Sequence, residues 1–465
     1  MQSVKPFKYA FLPSPPRFTR ILGPSFILLG LGLGSGEIIL WPYLVSNYGF
    51  GIIWAAVLGI LFQFFINMEI ERYAIIRGES IFVGFARLFR YLPIWFIAST
   101  FIGFGWPGII AASAQLFSKT IGVSNFQLVA IGLLLLIGII LTFGPVLYRT
   151  VERFQKILIF TGVPLVFLLA ILLAKSTDYL VLSKGLVGIG DGYFFLPAGI
   201  SLLTFLGAFA FAGAGGNLNL AQSYYVKEKG YGMGKYAGKI QSLVTGRKEE
   251  IEFSGTTFEI NQTNLQHFKK WWKLINFEHF IIFFLTGTAS ILFLALLSYA
   301  TSFGAAGNLT GINFIFNESA QIASRLGNIV SVGFLLLLGL MLFGTQFTVL
   351  DSTSRIISEN VLLLSGSQTA NRLIAKAYYI TLWLQILFGI CVFLLGFSDP
   401  RTLVVTAAVI NAVTMFVHIG LTYLLNTKTL PREISMTLPK RALILFIFAF
   451  FGFFSFYSLW ANFLK

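Results

Sequence analysis

The sequence predicts an all-α polytopic membrane protein of eleven helical spans, ten of them in two groups of five, with the first and sixth spans broken in mid-course. Three observations predict it. The 465 residues are 56% hydrophobic and only 11% charged, whereas a soluble domain carries about a quarter charged residues. Apolar runs long enough to cross a bilayer recur along the whole chain. Glycine clusters followed by polar residues stand at matching places in the first and sixth runs, the pattern of paired discontinuous helices.

Each run is taken in order. The tail 1–20 carries Lys5, Lys8, Arg17 and Arg20 and has no short apolar stretch with a small-residue cleavage site, so it reads as a cytoplasmic tail rather than a signal peptide. Spans are expected near 21–47, 50–76, 92–121, 126–148 and 154–175, which form a first group of five. A second group follows near 195–225, 274–302, 324–350, 372–397 and 402–425, and an eleventh span near 440–462. Because five is odd, the second group (195–425) enters the membrane inverted relative to the first (21–175). Trp106-Pro107-Gly108 predicts a proline kink in span three.

Charge sets the orientation. The net charge of +15 comes from Lys and Arg gathered in alternate loops: Arg72, Arg77, Arg87 and Arg90, then Arg149, Arg153 and Lys156, then a dense set in 227–273, then Arg355, Arg372 and Lys376, then Lys428, Arg432, Lys440 and Arg441. The intervening loops are nearly free of them, so the N-terminus is expected inside and the C-terminus outside. No basic stripe with base-stacking aromatics stands apart from the spans, which argues against a nucleic-acid partner. One cysteine, Cys391, excludes a disulfide framework. The insert 227–273 is expected to hold a small hairpin around Ser254-Gly255 and an interfacial amphipathic helix over 265–273. It carries no catalytic constellation, and the spans lack zinc, nucleophile-elbow and P-loop motifs, so an enzyme is not expected.

The breaks focus the functional reading. Span one holds Gly30, Gly32, Gly34, Ser35 and Gly36, followed by Glu37; span six holds Gly207, Gly213, Gly215 and Gly216, followed by Asn217 and Asn219. Glycine disfavours helix, and non-helical backbone survives in a membrane only where protein or a watery cavity satisfies it. The same glycines would also permit close helix packing. Glu37 lies midway along span one, where a carboxylate is costly and therefore marks function. Glu69, Glu71 and Asp351 fall near the ends of apolar runs, where snorkelling is expected. Asp351 and Arg355, four apart, could pair as an inner gate. Asn411 in span ten reads either as a ligand or as packing glue, and His418 either as packing or as a proton relay.

Gly23-Pro24-Ser25-Phe26, the first break, Tyr48-Gly49-Phe50 and Trp54 together resemble the first span of Nramp metal-ion transporters, and most closely a divergent Nramp-like branch whose break reads Gly-Ser-Gly-Glu. The resemblance implies the LeuT-type inverted repeat found across the amino-acid/polyamine/organocation transporters. It also implies a site built from Gly34, Ser35, Gly36 and Glu37 with Ala214, Gly215, Gly216, Asn217 and Asn411, in which Glu37 and Asn217 are metal ligands. Two departures matter. The family's first break reads Asp-Pro-Gly-Asn, whereas here the acid stands fourth, at Glu37. The family's Met-Pro-His in span six is replaced by Ala214-Gly215-Gly216, which removes the thioether and the histidine linked to proton movement. One carboxylate with amide and carbonyl oxygens is a hard ligand set, suited to Mg²⁺ or Mn²⁺. The expectation is a secondary transporter of a divalent cation, needing no cofactor, with the small cation and the lipid bilayer as its partners and a sequence compatible with a monomer. The alternative is an amino-acid or polyamine/amine transporter, since Gly34-Ser35-Gly36 also resembles the break of amino-acid permeases.

Overall fold

The computed structural model describes residues 6–144, 147–200, 202–238, 254–366 and 371–463. Among them, ten helices are long and apolar enough to cross a membrane: Pro24–Tyr48, Phe50–Arg77, Leu92–Ile121, Phe126–Phe143, Leu147–Leu173, Gln262–Ser302, Asn328–Ser365, Leu373–Leu394, Pro400–Thr429 and Leu438–Tyr457. They are spans one to five and seven to eleven. Span six is divided into Leu202–Ala210 and Leu218–Lys229. Their outward faces are apolar, with Leu128, Phe143, Leu168, Leu387 and Phe446 exposed, as lipid-facing surfaces require. The protein is an integral multi-pass membrane protein.

Span one and span eight form the centre. Every residue from Pro24 to Ser46 is buried, because spans two, five, six, seven and eight surround this helix on all sides. Gln155 of span five fills the gap between spans one and eight, donating to the Gly344 carbonyl (2.7 Å), while Thr345 of span eight donates to the Gly30 carbonyl (2.8 Å). Span three bends at Pro107, which separates Leu92–Phe104 from Gly108–Ile121.

Two faces close the bundle. The entry face, where the chain enters span one, gathers the ends of spans two, six, eight and ten: Lys156 donates to the Leu22 carbonyl (2.7 Å), Lys229 to Glu152 (2.7 Å), and Arg72 to the Ile434 carbonyl (2.9 Å). A strap from the N-terminal tail lies across it. Lys8–Tyr9 pairs in parallel with Thr256–Thr257. Leu12 is buried and held by Asn264 (3.1 Å) and His267 (2.8 Å), and Trp271 donates to the Pro13 carbonyl (2.7 Å). The expected hairpin around Ser254-Gly255 is thus replaced, over its described residues, by pairing with the tail; 251–253 lie outside the described residues. The amphipathic helix expected over 265–273 is the opening of span seven, a helix of 41 residues. Trp271 and Phe277 meet the tail at Pro13 and Phe18, while Trp272 packs on Phe268 and takes Arg72 and Lys440 against its ring.

The far face carries the helix Asn313–Leu326, whose buried side includes Phe314, Ile315, Glu318 and Ile322. Phe314 packs against Tyr43 at 6.1 Å, and Arg401 at the start of span ten caps the Tyr43 ring and hydroxyl. Burial pushes the Glu318 carboxyl up to about 8, against the opposing hydrogen bond from Ser298.

Candidate functional site

The site grows from the break in span six. After Ala210 the chain leaves the helix, and Gly213, Gly215 and Gly216 take positive φ of 119°, 71° and 50°, a region side chains disfavour. The turn frees carbonyls at the end of one half-helix and amides at the start of the next, and a single side chain receives them. Gln63 of span two donates to the carbonyls of Ala210 (2.9 Å) and Ala212 (2.8 Å) and accepts from the Gly215 amide (3.0 Å). All three polar atoms of this amide are used, so the irregular backbone is satisfied inside the apolar bundle.

Span one behaves differently. Leu33–Leu40 is π-helical, wider than an α-turn but still hydrogen-bonded throughout, so the expected break in this span is an expansion instead of an interruption. None of Gly30, Gly32, Gly34 or Gly36 has positive φ. These glycines remove bulk. A Cβ on Gly36 would stand 1.6 Å from the Phe211 carbonyl oxygen, one on Gly32 would strike the Gly213 backbone at 2.8 Å, and one on Gly34 would strike Thr345 at 2.7 Å. The π-stretch is thereby pressed against the unwound part of span six. Ser35 is buried in the same stretch.

Glu37 is wholly buried, and neither carboxylate oxygen has a hydrogen-bond partner. It points toward span seven, where Oε1 is 3.7 Å from the Cβ position of Gly287. Ala214, beside the turn, is buried. Asn217 gives its Nδ2 hydrogens to Ser99 (2.9 Å) and Thr100 (2.8 Å) of span three, which leaves Oδ1 unpaired. Asn411 donates to the Gly103 and Ala407 carbonyls (2.8 and 2.9 Å), and its Oδ1, also unpaired, lies where a Gly216 side chain would be. His418, one further turn pair along span ten, faces the Gly216 backbone. The structure therefore gathers Ala214, Gly215, Gly216, Asn217, Asn411 and His418 around the span-six turn, with Gly36 across from them, while Gly34 faces Thr345 of span eight. The Glu37 carboxylate faces span seven and makes no hydrogen bond to Asn217. Among the described residues, no three His, Cys, Asp or Glu side chains converge as a metal-holding group.

Glu69, Glu71 and Asp351 do not snorkel. They are 2%, 0% and 0% exposed, because the helices run beyond their apolar segments: span two to Arg77 and span eight to Ser365. Asp351 and Arg355 do pair, at 2.9 Å. They sit inside a network in which Arg355 also reaches Glu228 of span six, while Tyr225 (3.1 Å) and Tyr378 (2.8 Å) donate to Asp351.

Five residues escaped the sequence reading. Gln63 sits between Phe62 and Phe64, and a lone amide deep in an apolar run was its signal. Glu278 lies within the expected bounds of span seven, where an acid is as costly as Glu37. Gln346 lines a small cleft of about 20 Å³ with Phe104, Trp106, Ile109, Phe211, Val349, Val404 and Ala407. Ser99 and Thr100 look like ordinary span residues until Asn217 turns to them.

No family model and no curated protein matches the chain. Solved structures do. Two variants of the manganese transporter of Eremococcus coleocola superpose with TM-scores of 0.71 and 0.70 at 13% identity, each covering 98% of this chain and 90% of that one. MhsT in complex with L-phenylalanine superposes with a TM-score of 0.54 at 14% identity, covering 97% of this chain and all of the other. At this identity the likeness speaks for the fold: a LeuT-type inverted repeat of five plus five helices with an eleventh.

Proposed function

We propose that this protein is a secondary transporter of the Nramp-like branch that carries a divalent cation, Mg²⁺ or Mn²⁺, across the membrane by alternating access. The observation that carries the reading is Glu37, a wholly buried carboxylate with both oxygens unpaired, in the span pressed on the unwound turn. A desolvated carboxylate without a partner is costly unless a cation or proton joins it. The unpaired Oδ1 atoms of Asn217 and Asn411 and the turn's backbone carbonyls add neutral oxygen donors. Glu37 faces span seven in this arrangement; turned to the span-six turn, it would complete with them a hard, sulfur-free set suited to Mg²⁺ or Mn²⁺. Likeness to a manganese transporter supports the same reading. In this scheme spans one and six rock against the scaffold, the Asp351–Arg355–Glu228 network closes the entry face, and that face is cytoplasmic, as the Lys and Arg distribution requires.

Purified protein in liposomes tests this. Saturable Mn²⁺ or Mg²⁺ uptake that Glu37→Gln abolishes is the expected result; cation flux unaffected by Glu37→Gln removes Glu37 from the site. A second reading, an amino-acid or amine carrier, is favoured by the cleft beside Phe211. Its aromatic lining and single amide, Gln346, are groups that contact organic side chains, and the cleft, at about 20 Å³, would have to open to admit one. Uptake of amines or amino acids without metal flux would select it.

A further inference from the structure

A second polar cluster lies apart from the span-six turn, toward the entry face. Glu71 of span two, Gln222 of the second half of span six, Glu278 and His279 of span seven, and Ser25 at the start of span one meet there, each fully buried. Glu71 stands six residues, about 9 Å of helical rise, before the end of span two at Arg77.

The hydrogen bonds form a chain. The Ser25 hydroxyl donates to Glu278, and His279 Nδ1 stands 2.8 Å from the same hydroxyl oxygen. A hydroxyl has one hydrogen. With that hydrogen given to Glu278, Nδ1–H must be the donor to Ser25. The same Nδ1 is 3.8 Å from Glu71 Oε1, which also accepts from Gln222. The imidazole is fixed between the rings of Phe283 (4.7 Å) and Phe64 (5.6 Å), nearly parallel to both. Nδ1, Ser25 and Glu278 thus form a hydrogen-bonded line across spans seven and one, and Glu71 of span two stands 3.8 Å from Nδ1, beyond hydrogen-bonding distance.

The cluster is short of positive charge. Glu71 Oε2, Glu278 Oε1 and Gln222 Oε1 are all buried without a donor. Glu278 rests on the Gly23 and Ser25 backbone amides at the start of span one, where a helix N-terminus accommodates one negative charge. Glu71 has no such support. The other groups facing the cluster are the Tyr148 and Tyr231 hydroxyls, Glu152 and Lys156. The Lys156 ammonium is already engaged by Glu152 and the Leu22 carbonyl. Two neighbouring carboxylates in a dry site cannot both stay charged without a cation, and no metal-holding group of three forms here.

We propose that Glu71, His279, Ser25 and Glu278 form a proton site that holds one proton in the closed bundle and yields it to water at the entry face when spans one and seven separate. The proton is held on Glu71, the carboxylate that no helix N-terminus supports, while Glu278 stays charged on the span-one amides; release breaks one O–H bond at Glu71 and forms one to water. This assigns a counter-ion to the transporter reading above and rests on it for its role in transport. The site itself does not depend on that reading.

Two measurements test it. Infrared spectra of the purified protein, titrated with acid and base, are expected to show the carbonyl stretch of a buried protonated carboxylic acid. The component from this site persists in Glu37→Gln, disappears in Glu71→Gln, and shifts in Glu278→Gln, which leaves Glu71 protonated beside a changed neighbour. Ser25→Ala keeps both acids and breaks the line, so it shifts the band instead of deleting it. A spectrum left unchanged by all three cluster variants overturns the site, whether or not the protein transports anything. In liposomes loaded with a pH indicator, Mn²⁺ uptake by the wild type is expected to move protons and to respond to a pH gradient, and Glu71→Gln to lose that response. Mn²⁺ uptake with the same proton movement in wild type and Glu71→Gln overturns the coupling. Absence of Mn²⁺ uptake in the wild type counts against the cation reading, and the infrared band still decides the proton site.

Discussion

Spans one and six carry glycine clusters of similar density and fold them in opposite ways. In span six, three glycines adopt positive φ and the helix stops. In span one, four glycines stay helical and the turn merely widens. The difference lies in the neighbours. Span six faces Gln63, which can receive two orphaned carbonyls and one amide at once. Span one also meets an amide, Gln155 beside Gly30, but its N–H groups are given to Gly344 and Thr348 of span eight, so it receives no span-one backbone and the helix keeps its own hydrogen bonds. A glycine cluster therefore permits a break; a polar side chain from another helix decides whether one forms.

The sharpest way to break this comparison is to remove the decider. Gln63→Leu leaves three buried backbone groups unpaired, at about 1–3 kcal/mol each, so a loss of at least about 3 kcal/mol is expected in detergent unfolding, together with loss of flux. A variant that melts like the wild type would show that Gln63 does not hold the turn. Next comes Gly36→Ala, whose Cβ would stand 1.6 Å from the Phe211 oxygen. Overpacking of this kind costs about 1–3 kcal/mol. Gly333→Ala, where nothing lies within 4 Å, is the control and should stay within about 0.5 kcal/mol. Equal melting of the two would mean that span-one glycines are not there for close approach.

The most local effect, read in one helix and not in the whole fold, concerns the far face. Glu318 is raised from 4.5 to about 8, so the folded helix retains a proton that the unfolded chain has already released. Its contribution is complete below about pH 4.5 and is lost as pH rises toward 8, by up to about 1.4 kcal/mol per unit. Hydrogen exchange in Asn313–Leu326 should accelerate over that window, and Glu318→Gln should flatten the dependence. A wild-type profile that is already flat would remove the buried acid from the account.

Much of this was legible in the sequence, because lipid imposes length and apolarity on each span and glycine marks where geometry changes. The spans, their pairing and Glu37 followed from those two constraints. The limits were equally physical. Apolar runs end before helices do, so Glu71 and Asp351 were read as interfacial while their helices continued past them inside protein. Periodicity does not show which residue faces which, so the Asn217 amide turning to Ser99 and Thr100, and the tail turning to Thr256, stayed hidden. Contacts between distant segments leave no local trace.

The strap across the entry face has a consequence for how the chain is made. Leu12 is held by Asn264, 252 residues later, so the tail cannot reach its place until six spans have left the ribosome. Until then Leu12 and the apolar wall it covers must wait in contact with water, lipid or a chaperone. Closure of that face is a late event in biosynthesis, set by the order of translation and not by the strength of the contacts themselves.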